Sequence, residues 1–283
     1  MRRLNRVLAA LLVIAACALP SVSPAGPSLN NPNVPSGAGD AIFAVTDDGL
    51  LIPIAVRNHG AFMNPGSNDG GPSEHLRTEA NAAIAVHGDR VHIIFGGRPI
   101  ATVTATVENG GAHITVPSAL HLGGYVTALA SPTLTGNARS ARRAPTSAER
   151  TAALALAAAK LQTTPARLTV RNLTAIDLGR GASLVGTLNL RGTTTPRTDK
   201  RVFMVLEPTN GKYAATLLNV QKITVTEPLL EEPAEYLVDT LVLDAKTPAL
   251  VTHVIGYDAD TFTIYTRAGA SWKSIYTGGG AAM

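Results

Sequence analysis

Cysteine is almost missing from this chain: Cys17 is the single one among 283 residues. Everything after it is therefore without disulfides and without thiol chemistry. Aromatic residues make up 4% and charged residues 16%, while Ala, Thr, Val and Leu are plentiful, a mixture that suits β-sheets carrying many small side chains. Charge of one sign is also scarce. The formal net charge is +4, but Arg2, Arg3 and Arg6 account for three of the 24 basic residues. What remains is 21 basic against 20 acidic residues, which gives no electrostatic basis for binding nucleic acid or an anionic membrane surface. No G-x-S-x-G elbow, H-E-x-x-H pair or G-x-x-x-x-G-K-[ST] loop occurs, so those chemistries find no support. The seven histidines, His59, His75, His87, His92, His113, His121 and His253, are scattered, with none at metal-ligand spacing to another.

The one long apolar run sits at the start. "MRRLNR" is a basic segment, "VLAALLVIAACAL" an apolar one, and Pro20 precedes "SVSPA", where Ser23 and Ala25 occupy the −3 and −1 positions of a cleavage site. Residues 1–25 thus read as an export signal, too short to span a bilayer. A second reading uses the same residues. "IAAC", residues 14–17, resembles a bacterial lipobox, in which Cys17 is acylated and becomes the mature N-terminus. The Pro-, Ser-, Asn- and Gly-rich stretch after it, including the linker 26–40, has the composition of a flexible tether. Periplasmic or secreted and outer-membrane-anchored locations both follow from this N-terminus, so both stay open.

Residues 41–135 are expected to form an N-terminal β domain. "AIFAV" and "LLIPIAV" flank "TDDG", a hairpin signal with Gly49 free to take positive φ. "AIAV", "RVHIIF", "PIATVTATVE" and "AHITV" are read as further strands. In "PIATVTATVE", Ile100, Thr102, Thr104 and Thr106 share one face and Ala101, Val103, Ala105 and Val107 the other, so one face is expected to be wet. Residues 58–81 form a long Gly/Asn/Pro-rich loop containing Asp69, Ser73, Glu74 and His75, residue types usable in acid–base work; the plain alternative is a polar surface crossover. Residues 136–165 follow as a linker and helix. Arg139, Arg142 and Arg143 read as a solvated connector. Thr146 and Glu149 form a T-x-x-E capping box opening the one helix expected, to about Leu161, with Leu154, Ala158 and Leu161 as its apolar stripe.

Residues 166–283 repeat. "TAIDLGRGASLVGTL" at 174 aligns without gaps on "TLVLDAKTPALVTHV" at 240, and "FMVLEPTNGKY" at 203 on "FTIYTRAGASW" at 262, which pairs Phe203 with Phe262 and Tyr213 with Trp272. "GTTTPRTDK" absorbs the difference in offset as a polar loop. Four antiparallel strands per unit, over about 168–225 and 235–280, is the pattern of a propeller blade. An acidic loop, a following "-L-V-" strand and an aromatic hairpin resemble the FG-GAP/VCBS repeat of integrin-like propellers. That resemblance implies calcium-binding loops. Here, however, Asp177 is accompanied by Leu178, Gly179, Arg180 and Gly181, and Asp244 by Ala245, Lys246 and Thr247. Calcium takes six to eight oxygens, several anionic, so each Asp is expected instead to accept backbone N–H bonds and hold its turn. Asp258 and Asp260 in "YDAD" read as a hairpin turn.

The expectation is a mainly β protein: an N-terminal β domain, a linker helix and two four-stranded antiparallel blade-like repeats. It has no assigned catalytic, cofactor or metal residue, and Cys17 is the lipid-attachment position if the chain is a lipoprotein. The function expected is exported, non-enzymatic binding or envelope interaction, with an envelope protein or glycan as partner and membrane contact only through the anchor. A hydrolase using the 58–81 loop and a purely structural lipoprotein are the alternatives.

Overall fold

The computed structural model describes residues 39–65, 74–116, 126–137, 142–193, 195–225, 234–254 and 261–279, all within one compact unit, Pro32–Met283. Cys17, Asp69, Ser73, Arg139, His121, Asp258 and Asp260 lie outside the described residues, as do residues 1–25, where an export signal is expected.

The protein is mainly β. Six strands, β1 (Asp40–Val45), β2 (Leu50–Asn58), β4 (Arg90–Phe95), β5 (Arg98–Glu108), β6 (Gly111–Ile114) and β7 (Val126–Ala130), pair in the order β1-β7-β4-β5-β6-β2. Antiparallel pairing of β1 with β2 closes them into a barrel. Strand β3 (Ala61–Met63) adds to β2. The β1–β2 turn follows "TDDG", with Gly49 at φ 87°. β5 alternates as expected: Ala101, Val103 and Ala105 pack into the interior and Thr102, Thr104 and Thr106 face solvent. All six strands contribute to that interior, with Phe43, Val56, Ile93 and Ile114 among its members.

The expected 58–81 loop and "AIAV" strand are corrected. Helix α1 (Glu74–Val86) occupies much of the one and all of the other, making two α-helices among the described residues. Ala80, Ala83 and Ile84 recur at helical spacing and pack into the barrel interior; the same apolar run, read alone, fits a short strand equally well. Glu74 and His75 open this helix, and their side chains lie outside what is described.

Short β8 (Leu134–Gly136) leads from the barrel toward α2 (Ser147–Leu161), which starts at the expected capping box. Glu149 N–H donates to Thr146 Oγ1 at 3.3 Å, and Thr146 N–H donates to Glu149 Oε2 at 2.7 Å. After a 3-10 turn, Pro165–Arg167, come the two repeats. The first is β9 (Leu168–Asp177), β10 (Ala182–Leu190), β11 (Thr198–Thr209) and β12 (Lys212–Thr224). The second is β13 (Glu235–Leu243), β14 (Thr247–Val254), β15 (Thr261–Ala268) and β16 (Ser271–Gly278). Each is an antiparallel four-strand meander, and β8 adds to β13. Of "GTTTPRTDK", Thr198–Lys200 extend β11 rather than the loop.

Four hydrophobic clusters order these parts in layers. The outward-facing residues of the barrel, Ile42, Ile54 and Leu129, pack on Leu241, Val251, Phe262 and Ile264 of the second repeat. The other face of that repeat, through Leu250, Tyr265 and Trp272, packs on Ile176, Val185, Phe203 and Val205 of the first. The far face of the first repeat, Leu184, Leu188, Val202, Met204 and Leu206, is covered by α2 through Ala153, Ala157 and Leu161. The second repeat is thus buried on both faces, against the barrel and against its sister.

Equivalent residues of the two repeats point the same way. Val185 and Phe203 face toward the barrel, and so do Val251 and Phe262; Leu184, Leu206 and Tyr213 face away from it, and so do Leu250, Tyr265 and Trp272. Even a register irregularity recurs, between Val205 and Leu206 in one unit and between Ile264 and Tyr265 in the other. The repeats are therefore stacked in the same orientation, as neighbouring blades are. The gapless alignment of the first two strands needs one correction. Asp177 pairs with Ala182 across a four-residue turn, whereas Leu243 pairs with Thr247 across three. Ile176 therefore corresponds to Leu241, and Asp177 and Asp244 are not equivalent.

Candidate functional site

Stacking two twisted sheets fills the space between them only where apolar side chains meet. At one end Phe203 and Tyr265 stack with centroids 6.0 Å apart, beside Trp272. There Arg267 of β15 crosses to Glu207 of β11, Nη1 donating to Oε2 at 2.9 Å and Nη2 to Oε1, with the guanidinium 4.6 Å from the Trp272 ring centre. At the other end the sheets part around an open cleft of about 560 Å³, within the ~300–1,000 Å³ typical of small-molecule sites.

One wall of the cleft is β12, with Leu217, Asn219 and Gln221. The other is the second repeat, with Glu235, Val254, Thr261, Thr263, Ser274 and Thr277 around Tyr265. Comparison of the repeats gives this wall its meaning. By strand pairing, Glu235, Thr261, Thr263, Tyr265 and Thr277 correspond to Val170, Val202, Met204, Leu206 and Leu218. In the first repeat those five positions form the apolar surface under α2. In the second the same positions are polar and line the cleft, with Glu235, Thr263 and Tyr265 buried and Thr261 and Thr277 less so.

Glu235 is the cleft's ionisable anchor. It is 5% exposed, and Thr252 and Tyr265 hydroxyls both donate to its Oε1, at 2.7 and 2.8 Å. Its backbone carbonyl accepts from Thr187 Oγ1 at 2.6 Å and Asn172 Nδ2 at 3.1 Å, which ties the start of β13 to the first repeat. Burial pushes the Glu235 carboxyl above the usual range, and the two hydroxyl donors offset part of that shift. Burial, and then the neighbouring Glu235, push the Tyr265 hydroxyl upward. A buried carboxyl with a raised pKa beside a cleft is a recognised mark of a functional site.

No family model, curated protein or solved structure matches this chain. The site therefore rests on its own geometry and on the contrast between the two repeats.

A second hollow, about 340 Å³ and lined by Asp40, Arg57, His59, His87, Thr133 and Asp244, is a weaker candidate because its charges are committed to one another. Arg57 Nη1 and Nη2 donate to Asp244 at 2.7 and 2.6 Å and lie near Asp40. Asp40 accepts from Ser131 and Thr133 hydroxyls at 2.6 and 2.5 Å. Burial lowers the pKa of His87. This cluster joins the barrel to the second repeat.

The aspartates singled out from sequence therefore divide. Asp177 holds its own turn, Oδ1 accepting N–H bonds from Gly179 at 2.7 Å and Gly181 at 3.2 Å. Asp244 does not cap its turn; it reaches Arg57 of the barrel. Arg142, expected as part of a solvated connector, is half-buried, its guanidinium donating to the carbonyls of Leu237 and Val238. Among the described residues no three His, Cys, Asp or Glu side chains group to hold a metal ion, and no helix is long and apolar enough to cross a membrane.

The cleft residues escaped sequence reasoning. Their signal was present: in "TFTIYT", Thr261, Thr263 and Tyr265 stand two apart where "VFMVL" carries Val202, Met204 and Leu206.

Proposed function

We propose that this chain is an exported, non-enzymatic binding protein whose ligand occupies the cleft between its two repeats. One observation carries the reading: five positions that are apolar and packed under α2 in the first repeat are polar in the second, where they line the cleft. Packing alone favours the apolar version, because polar groups withdrawn from water must find partners. The polar version is retained where a ligand supplies those partners.

A hydrolytic reading finds less support. Glycoside hydrolysis in most families takes two carboxyl groups flanking the scissile bond, and the described cleft wall carries one, Glu235. Ser274 and the threonines have no histidine among the described lining residues to activate them. The repeats are read as degenerate FG-GAP/VCBS-like blades, on the strength of their common orientation and shared irregularity. Export through residues 1–25, with Cys17 as the alternative anchor, completes the proposal. Mass spectrometry of the mature N-terminus separates a chain beginning at Gly26 from one beginning at acylated Cys17.

The binding reading is tested by thermal shift of the purified protein against a chemically diverse small-molecule library. The comparison protein is Ser274→Trp, which fills the exposed mouth of the cleft. A ligand at about a hundred times its Kd stabilises the folded state by about 2.7 kcal/mol. Compounds that raise the melting point of the native protein but not of Ser274→Trp sustain the reading; a library yielding none rejects it.

A further inference from the structure

We infer that the cleft takes a neutral, hydroxyl-bearing ligand of saccharide type, oriented by the free oxygen of Glu235. The inference rests on the reading of the cleft as a binding site and adds the class of its ligand.

The argument starts at the carboxyl. Both hydroxyl donors, Thr252 and Tyr265, fall on Oε1. Among the described residues no hydrogen bond falls on Oε2, and Glu235, 5% exposed, lines the cleft. An oxygen without a protein partner beside a cleft is available to a partner from outside the chain. Oε2 faces the cleft, and a ligand hydroxyl, which both donates and accepts, is able to pair with it.

The remaining polar lining agrees. Thr263 and Thr277 hydroxyls lie 3.4 Å apart and Ser274 and Thr277 hydroxyls 3.5 Å apart. Those separations are well beyond the ~2.7–2.8 Å of a full O–H···O bond, so most of their capacity is unspent. Across the gap stand the carboxamides of Asn219 and Gln221. Hydroxyl and carboxamide groups each donate and accept, and a ligand hydroxyl does both as well. The described lining contains no arginine or lysine to neutralise an anion, and its other polar groups are neutral hydroxyls and carboxamides. Leu217 and Val254 leave apolar surface for the C–H faces of a ring.

The test titrates the purified protein, by calorimetry, with glucose, galactose, mannose and N-acetylglucosamine, each beside amino and uronic counterparts of the same ring size. The expected result is that one or more neutral sugars bind about tenfold more tightly than their charged counterparts. That factor corresponds to the loss of one well-made neutral hydrogen bond. Glu235→Gln, whose carboxamide both donates and accepts, keeps the affinity. Glu235→Leu loses it by about the same tenfold factor. Tighter binding of an amino sugar, or equal loss in Glu235→Gln and Glu235→Leu, overturns the inference, because a carboxylate charge would then be holding the ligand. Failure of every neutral sugar overturns it too. The library screen with Ser274→Trp then shows whether the cleft reading survives with another ligand class or falls as well.

Discussion

Truncating Arg267 to alanine severs the one charged bridge described between the facing sheets of the repeats. Glu207 is fully buried, and Arg267 meets it with two hydrogen bonds, one of 2.9 Å, while resting over the Trp272 ring at 4.6 Å. Removal of one partner of a buried pair costs about 3–5 kcal/mol, because a charge is left in the interior without compensation. Loss of the cation–π contact adds about 1–2 kcal/mol. Arg267→Ala is therefore expected to lower unfolding stability by about 4–7 kcal/mol, measured by urea denaturation at neutral pH. Replacing both partners, Glu207→Leu with Arg267→Met, removes the stranded charge and is expected to recover most of that loss, since apolar substitutes for a buried pair are often neutral. A cost below about 1 kcal/mol for the single variant, the scale of a surface ion pair, would refute the claim that the repeats are packed face to face here. So would a double variant no more stable than Arg267→Ala.

Burial raises the Asp239 carboxyl from its ordinary 3.8 to about 6. The folded state then holds the proton that the unfolded chain releases. Stability present below about pH 4 is lost as pH rises through about 6, by about 3 kcal/mol in total; in Asp239→Asn this part of the pH profile of unfolding flattens. Gly186→Ala places a Cβ 2.2 Å from the Asn172 carbonyl oxygen, and the forced shift of β10 from β9 is expected to cost about 1–3 kcal/mol in denaturation. Asp177→Ala removes the acceptor for the Gly179 and Gly181 N–H groups and is expected to cost about 1 kcal/mol. Calcium added to the native protein leaves the melting point unchanged, and a saturable rise abolished by Asp177→Asn would contradict the reading of that loop as a turn.

The sequence carried the parts of the fold that local chemistry dictates. The capping box at Thr146 and Glu149 announced α2 to within a residue. The "TDDG" turn and the Thr alternation of β5 marked barrel strands, and the offsets between Phe203 and Phe262 revealed the repeats. What it hid depended on register or on distance along the chain. "NAAIAV" is compatible with helix or strand until a barrel interior is there to receive Ala80, Ala83 and Ile84. Arg57 and Asp244 are 187 residues apart, so no local pattern could join them. The cleft was hidden for a subtler reason. Threonines at alternate positions read as a wet strand face, and only the stacking of β15 behind β12 turns that face into the wall of a cavity.

The central claim is that ligand enters between the repeats, and residue-resolved amide chemical shifts test it most directly. With a ligand from the screen, the account predicts perturbations concentrated on Leu217–Gln221, Thr261–Tyr265 and Ser274–Thr277. Perturbations centred instead on Arg57, His59 and Asp244 would contradict it.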